Sequence, residues 1–244
     1  MTGAEWGTAA GLIVLAYLVG SLSPSVFLGK WLKGVDVRKV GSGNAGTTNA
    51  FRALGTKLGI AVLILDLLKG VVPVLIARLV LHDEHPVVIV LVAFATVIGH
   101  NYSLFLRGKG GKGVATGAGA ALALMPVPMA IVVGIFVVLV FGVRIVSVGS
   151  IVATVMYPVM AVVWRQPLAY IVGACVMAAV VLFAHRKNMV RLWRRQVHRF
   201  TAPCNKKKGE TPAAPDAATA ARETAPAPSA PNQASAADSS PGAV

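Results

Sequence analysis

Three polar clusters interrupt an otherwise apolar chain of 244 residues, and each is built from residue types suited to holding an anion. The first reads Gly41-Ser42-Gly43-Asn44-Ala45-Gly46-Thr47-Thr48-Asn49-Ala50-Phe51-Arg52. Its small residues expose backbone N–H groups, with Ser42, Asn44, Thr47 and Asn49 as side-chain partners and Arg52 as a charge. The opening satisfies GxGxxG, and Asp66 stands 20 residues beyond Gly46, where a dinucleotide-binding unit carries its ribose acid. That unit needs a second parallel strand there, whereas Asp66 sits inside an apolar helical stretch, so dinucleotide binding is rejected. A plain connector between helices would not need this density of Asn, Thr and Gly.

The second cluster is Gly99-His100-Asn101-Tyr102 followed by Arg107-Gly108-Lys109-Gly110-Gly111-Lys112-Gly113-Val114-Ala115-Thr116-Gly117. Gly108 and Gly113 have Walker A spacing, but Val114 stands where that motif has Lys, so an NTPase is not indicated. Glycines that lead with two lysines into the start of an apolar helix combine mobile amide donors, a helix dipole and point charges. The third cluster is His185-Arg186-Lys187-Asn188, where His185 and Asn188 are three apart and share a helical face. A histidine needs a partner group to act as a base, and alone at a helix end it is more often a polar boundary residue. Ser147 and Ser150 end another apolar stretch and could donate to the same site, although serines in such helices usually bond their own backbone.

The elements that must position these clusters are membrane spans. The chain is 56% apolar and 13% charged, with a mean hydropathy of +0.72, against about 25% charge in soluble domains. Two cysteines, Cys175 in an apolar stretch and Cys204 in a basic one, are too few for a disulfide framework or a zinc site. From Trp6 to Gly29 no formal charge occurs, Glu5 precedes and Lys30 and Lys33 follow, which predicts a retained first span with its N-terminus outside. Leu58–Leu81, Pro86–Leu106 and, on either side of Pro126 and Pro128, about 113–126 and 128–143 supply four more. Arg144, Arg165 and Arg186 bracket spans six and seven.

The expected fold is therefore an all-α membrane protein with seven transmembrane helices, N-terminus outside and C-terminus cytoplasmic. In that arrangement 20 of the 23 Lys and Arg residues fall on one face, which the positive-inside rule makes cytoplasmic. The net charge of +14 then needs no nucleic-acid partner. Residues 1–200 form the membrane domain. Residues 201–244 are expected to be a disordered cytoplasmic tail, rich in Ala and Pro from 211 onward. Between them, the basic residues from Arg186 to Lys208 alternate with apolar ones, as in an amphipathic helix lying on anionic headgroups.

Taken together, the clusters resemble those of the bacterial acyl-phosphate-dependent glycerol-3-phosphate acyltransferases, integral membrane enzymes that begin phospholipid synthesis. The resemblance covers residues 10–195 and rests on three motifs in order. These are Gly41-Ser-Gly-Asn with Thr48-Asn49 and Arg52, Gly99-His100 with Gly110-Gly-Lys-Gly-Val-Ala-Thr116, and His185 with Asn188, Arg191 and Leu192. Ser21-Leu22-Ser23-Pro24, Asp66 with Lys69-Gly70, and Ser147-Val-Gly-Ser150 are also similar. The chain departs from the family pattern at Ala184, often Arg, and after Arg191-Leu192, where Trp193-Arg194-Arg195-Gln196-Val197 lacks the usual Gly and Glu. Ser103 and Gly108 replace a frequent Pro and a frequent aromatic residue.

The resemblance implies transfer of a fatty acyl group from acyl phosphate to the 1-hydroxyl of glycerol 3-phosphate, giving lysophosphatidic acid and phosphate at the cytoplasmic face of the cell membrane. It implies catalytic roles for Ser42, Arg52, Lys112, His185 and Asn188. Substrate would be bound by Gly41, Gly43, Asn44, Gly46, Thr48, Asn49, Gly110, Gly111 and Ser150. No Ser or Cys is flanked by a His and a carboxylate in the sequence, so direct transfer is preferred to an acyl-enzyme. No metal or cofactor is expected. The alternative is a transporter of a phosphorylated or anionic solute, which would use Asp66, Lys69 and the broken segment at Pro126. A membrane scaffold recruiting acidic lipids would have no use for the glycine motifs.

Overall fold

A computed structural model describes residues 1–194, whose regular elements are all helices, with no strand among them. Helix α1, Gly3–Ser21, opens on a capping box: Thr2 Oγ1 accepts the Glu5 N–H and the Thr2 N–H donates to the Glu5 carboxylate at 2.7 Å. The expected single first span is broken. Leu22 and Ser23 are extended, and α2 runs separately from Pro24 to Lys33. Pro24 fits at the first helical position, lacks an N–H to continue α1 and drives Ser23 out of the helical region.

The stretch expected to be a loop also contains structure: a 3-10 turn at Val37–Lys39 and α3, Thr47–Leu54. Then come α4, Thr56–Leu81, and α5, Pro86–Asn101. After a second 3-10 turn at Leu104–Leu106 lie α6, Val114–Leu124, and α7, Pro126–Val143. Helices α8, Val146–Val163, and α9, Leu168–Ala184, lead to the short α10, Arg186–Trp193. The break expected between Pro126 and Pro128 falls earlier, at Met125. Both prolines lie in the first turn of α7, where the N–H they lack would find no partner in the helix.

Among the described residues, five helical stretches are long and apolar enough to cross a membrane: Gly3–Lys33, Thr56–Leu81, Pro86–Leu106, Pro126–Val143 and Val146–Val163. Two further apolar helices are shorter. At about 1.5 Å per residue, α6 rises roughly 17 Å, little more than half of a hydrocarbon layer about 30 Å thick.

The apolar residues do not segregate to one face as in a soluble helix. Leu79, Val138, Phe141 and Leu168 are exposed, as expected for helices whose outer faces meet lipid. The inner contacts are made by small residues. Gly20 of α1 lies against the backbone of Thr96 in α5, and Gly99 of α5 against that of Tyr17. Gly70 of α4 lies against Thr116 of α6, and Gly119 against Leu67. A Cβ at any of the four would overlap the facing backbone. Without water to drive apolar surfaces together, such close approach and its dispersion energy hold membrane helices to one another. A further cluster, Val26, Val37, Ala45, Ala50, Leu54 and Val62, packs α2, α3 and the start of α4 together and so carries the first polar loop.

The basic stretch beyond residue 194 and the expected disordered tail, with Cys204, lie outside the described residues.

Candidate active site

The first loop is shaped by one buried side chain. Asn49, on the first turn of α3, donates from Nδ2 to the carbonyls of Val37 and Val40 at 2.7 and 3.1 Å, and its Oδ1 accepts the Ser42 N–H at 3.0 Å. Its amide is thus committed to the loop backbone. Expected among the substrate-binding residues, Asn49 is here a clasp on the loop backbone. Asn44 behaves similarly, its Oδ1 accepting the Gly46 N–H at 2.8 Å in an Asx turn. Gly41 and Gly43, at φ 61° and 67°, supply the left-handed bends between them. Ser42, Thr48 and Arg52 are exposed, and Gly46 begins α3 without a side-chain cap.

At the entry to this loop, Asp36 is held by the Arg38 guanidinium through contacts of 2.7 and 3.0 Å, with Lys30 at 3.7 Å. Hydrogen bonding to Arg38 keeps the carboxyl well below its ordinary range.

The second loop turns back onto the end of α5. Gly110 N–H donates to the Asn101 carbonyl at 3.2 Å and Gly111 N–H to the His100 carbonyl at 3.0 Å. A Cβ at 110 would overlap that carbonyl, and one at 111 the His100 imidazole. Space, rather than dihedral freedom, demands the Gly-Gly pair. Gly113, at φ 77°, then starts α6. Ser103 Oγ donates to the Ser21 carbonyl at 2.6 Å, fixing the turn to the end of α1.

The two loops touch: a Cβ at Gly46 would stand 4.0 Å from Gly111 Cα. Lys112 of the second loop also stands near enough to the third cluster for its charge to bear on His185. His185 caps α9, just beyond its last helical residue, and is buried. Its Nδ1 lies 2.8 Å from the Val181 carbonyl, which makes that nitrogen the donor and leaves Nε2 as an acceptor. Burial lowers its pKa, the Val181 carbonyl raises it and Lys112 lowers it, leaving it below the ordinary 6.5. Asn188 of α10 donates from Nδ2 to Ser147 Oγ of α8 at 2.9 Å. Ser150 donates to its own helix at Val146 O, 2.9 Å away.

Clusters far apart in sequence, at 41–52 and 108–113, therefore adjoin, and Lys112 of the second stands near enough to His185 for its charge to bear on it. Sequence reasoning did not find that Thr47 Oγ1 donates to Asp66 Oδ2 at 3.0 Å, or that Lys69 Nζ reaches the Leu22 carbonyl at 2.6 Å. The signal was a lone carboxylate and a lone ammonium within an apolar helix. Two shallow apolar grooves flank the α1–α2 break; the larger, about 480 Å3, is lined by Leu22, Val26, Phe27, Trp31, Phe105 and Leu106 among others. Among the described residues no three His, Cys, Asp or Glu side chains group as metal ligands would.

Residues 10–195 match the family model described as glycerol-3-phosphate acyltransferase. The chain is 42% identical over 192 residues to a glycerol-3-phosphate acyltransferase of Myxococcus xanthus, covering 78% of this chain and 99% of that protein. It is 38% identical over 183 residues to one of Fusobacterium nucleatum, covering 74% and 92%. Its fold is similar to crystal structures of PlsY, an integral membrane glycerol 3-phosphate acyltransferase. The glycerol 3-phosphate form gives a TM-score of 0.76 at 39% identity, and the lysophosphatidic acid form 0.75 at 38%. Each comparison covers 80% of this chain and 96% of that one.

Proposed function

Because the chain belongs to the glycerol-3-phosphate acyltransferase family, whose members are membrane enzymes, we propose that it moves a fatty acyl group from acyl phosphate to the 1-hydroxyl of glycerol 3-phosphate. Lysophosphatidic acid and inorganic phosphate are the products. The observation that carries this reading is the convergence of two glycine loops and a buried histidine, through the Gly46–Gly111 approach and the influence of Lys112 on His185. Both substrates bear phosphate, and two anion-holding loops side by side suit two phosphates. The transporter alternative lapses with the family assignment.

In the proposed reaction, Ser42, Arg52, Lys112 and the loop amides hold phosphate and neutralise charge that develops on the leaving group. The substrate hydroxyl hydrogen-bonds to His185 Nε2 and attacks the acyl carbon. As the new ester C–O bond forms, the acyl–phosphate C–O bond breaks, and the hydroxyl proton passes to a phosphate oxygen. A lowered pKa and a carbonyl, rather than carboxylate, partner on Nδ1 make His185 a weak base, which favours positioning over proton abstraction. Asn188 supports the same substrate from α10. The acyl chain is assigned to the apolar grooves beside the α1–α2 break.

The reading extends to topology: seven crossings, N-terminus outside, and the loops of the site facing the cytoplasm, supported by the distribution of Lys and Arg. Purified full-length protein incubated with labelled glycerol 3-phosphate tests the chemistry. Acyl phosphate is expected to serve as donor where acyl-CoA and acyl-carrier protein do not, and EDTA is expected to leave the rate unchanged. Equal use of acyl-CoA, or reversible loss of activity on chelation, overturns the donor or the mechanism.

A further inference from the structure

Asp66 and Lys69 lie within α4 at 1% and 7% exposure, and His100 near the end of α5 at 7%. Burying two opposite charges is costly unless each finds partners. Here each member of the group reaches a different part of the site. Asp66 Oδ2 accepts the hydroxyl of Thr47, the first residue of α3, at 3.0 Å. Its Oδ1 lies 2.9 Å from Lys69 Nζ and 3.7 Å from His100 Nδ1. Lys69 Nζ also donates at 2.6 Å to the Leu22 carbonyl, where α1 ends and a cation suits the unpaired carbonyls. His100 forms the surface on which Gly111 rests, and its own carbonyl takes the Gly111 N–H. The two loops that meet at Gly46 and Gly111 therefore also share one carboxylate beneath them, which Thr47 bonds directly and beside which His100 lies at 3.7 Å.

We propose that Asp66, Lys69 and His100 form a positioning node that couples the first loop to the second and sets the spacing between Ser42 and Arg52 on one side and Lys112 on the other. The proposal rests on the acyltransfer reading above. The node acts through Thr47 and Gly111 and is given no contact with substrate. The Thr47 hydroxyl bonds the carboxylate and not the imidazole, so Thr47, Asp66 and His100 are not ordered as a nucleophile triad, in which the imidazole stands in the middle.

The test is steady-state kinetics with the donor that wild type uses, varying glycerol 3-phosphate, on purified full-length variants. Thr47→Val removes only the hydroxyl. It is expected to raise KM for glycerol 3-phosphate about fivefold or more, as loss of a hydrogen bond to a charged group would, with a smaller change in kcat. Thr47→Ser restores the hydroxyl and is expected to bring KM back to within about twofold of wild type. A general loss of folded protein would lower the apparent kcat and leave KM alone. His100→Gln is expected to raise KM as well, and the double variant Thr47→Val with His100→Gln to fall short of the product of the two effects, because both act through one group. Wild-type KM in Thr47→Val overturns the proposal, as do effects that multiply. Should His100→Gln not fold, the Thr47→Val and Thr47→Ser pair still decides the first arm. Absence of glycerol 3-phosphate-dependent transfer in wild type would instead overturn the underlying activity.

Discussion

Lys112 stands just before the first turn of α6 while His185 closes α9, and the charge of one bears on the protonation of the other. Lys112→Ala is expected to cut kcat/KM for glycerol 3-phosphate by about ten- to a hundredfold, the range for a lost hydrogen bond to a charged group. Lys112→Arg should recover part of that, since it keeps the charge but presents it as a planar fork. For His185 the sign of the pKa shift sets the pH window. Its folded-state value is below 6.5, so the imidazole is neutral above that pH and gains a proton only as pH falls further. A positioning His185 predicts that His185→Ala is slower by about a hundredfold yet keeps the wild-type pH profile between about pH 5.5 and 8.5, because a phosphate oxygen takes the proton. Loss of the acidic limb in the variant would make His185 the general base. Asn49 shows the limit of reading residue types. Its amide could equally hold an anion or a backbone, and only the fold brings the Val37 and Val40 carbonyls within its reach.

Helix interfaces are where substitution should cost stability without touching chemistry directly. Gly119→Ala would drive a methyl into the Leu67 backbone, whereas Gly134 of α7 has open space where its Cβ would be. Thermal unfolding in detergent is expected to show Gly119→Ala destabilised by about 1–3 kcal/mol, the usual cost of overpacking, and Gly134→Ala little changed. The apolar runs made most of these helices legible in the sequence, since charges at Lys30, Arg144 and Arg186 bracket them. The α1–α2 break was not legible: Leu22 and Ser23 are uncharged, and hydropathy does not record that Pro24 begins a helix rather than interrupting one. Helix α3 was missed because its eight residues lack an apolar run and owe their burial to Val26, Val37 and Val62 around them.

At the scale of the whole chain, Asn188 ties α10 to α8 through Ser147. Removing residues 211–244 is therefore expected to leave membrane insertion and turnover intact, and cutting back through 186–199 to abolish turnover, as judged by assays on matched amounts of inserted protein. The three clusters were visible in the sequence as candidate site residues. Their approach was not, because it depends on how the fold brings glycines of separate loops together, as at Gly46 beside Gly111.

Helices α6 and α7 meet at Met125, and α6, with seven fewer residues, rises roughly 10 Å less. On the acyltransfer reading proposed above, the glycine loop that precedes Val114 is expected to sit recessed toward the acyl chains, where an amphiphilic donor reaches it by sliding within its own leaflet. Encounter becomes a two-dimensional event, governed by the donor's mole fraction among surrounding amphiphiles. Adding inert detergent at fixed total donor should slow turnover in proportion to that surface dilution, while saturation by water-soluble glycerol 3-phosphate stays where it was.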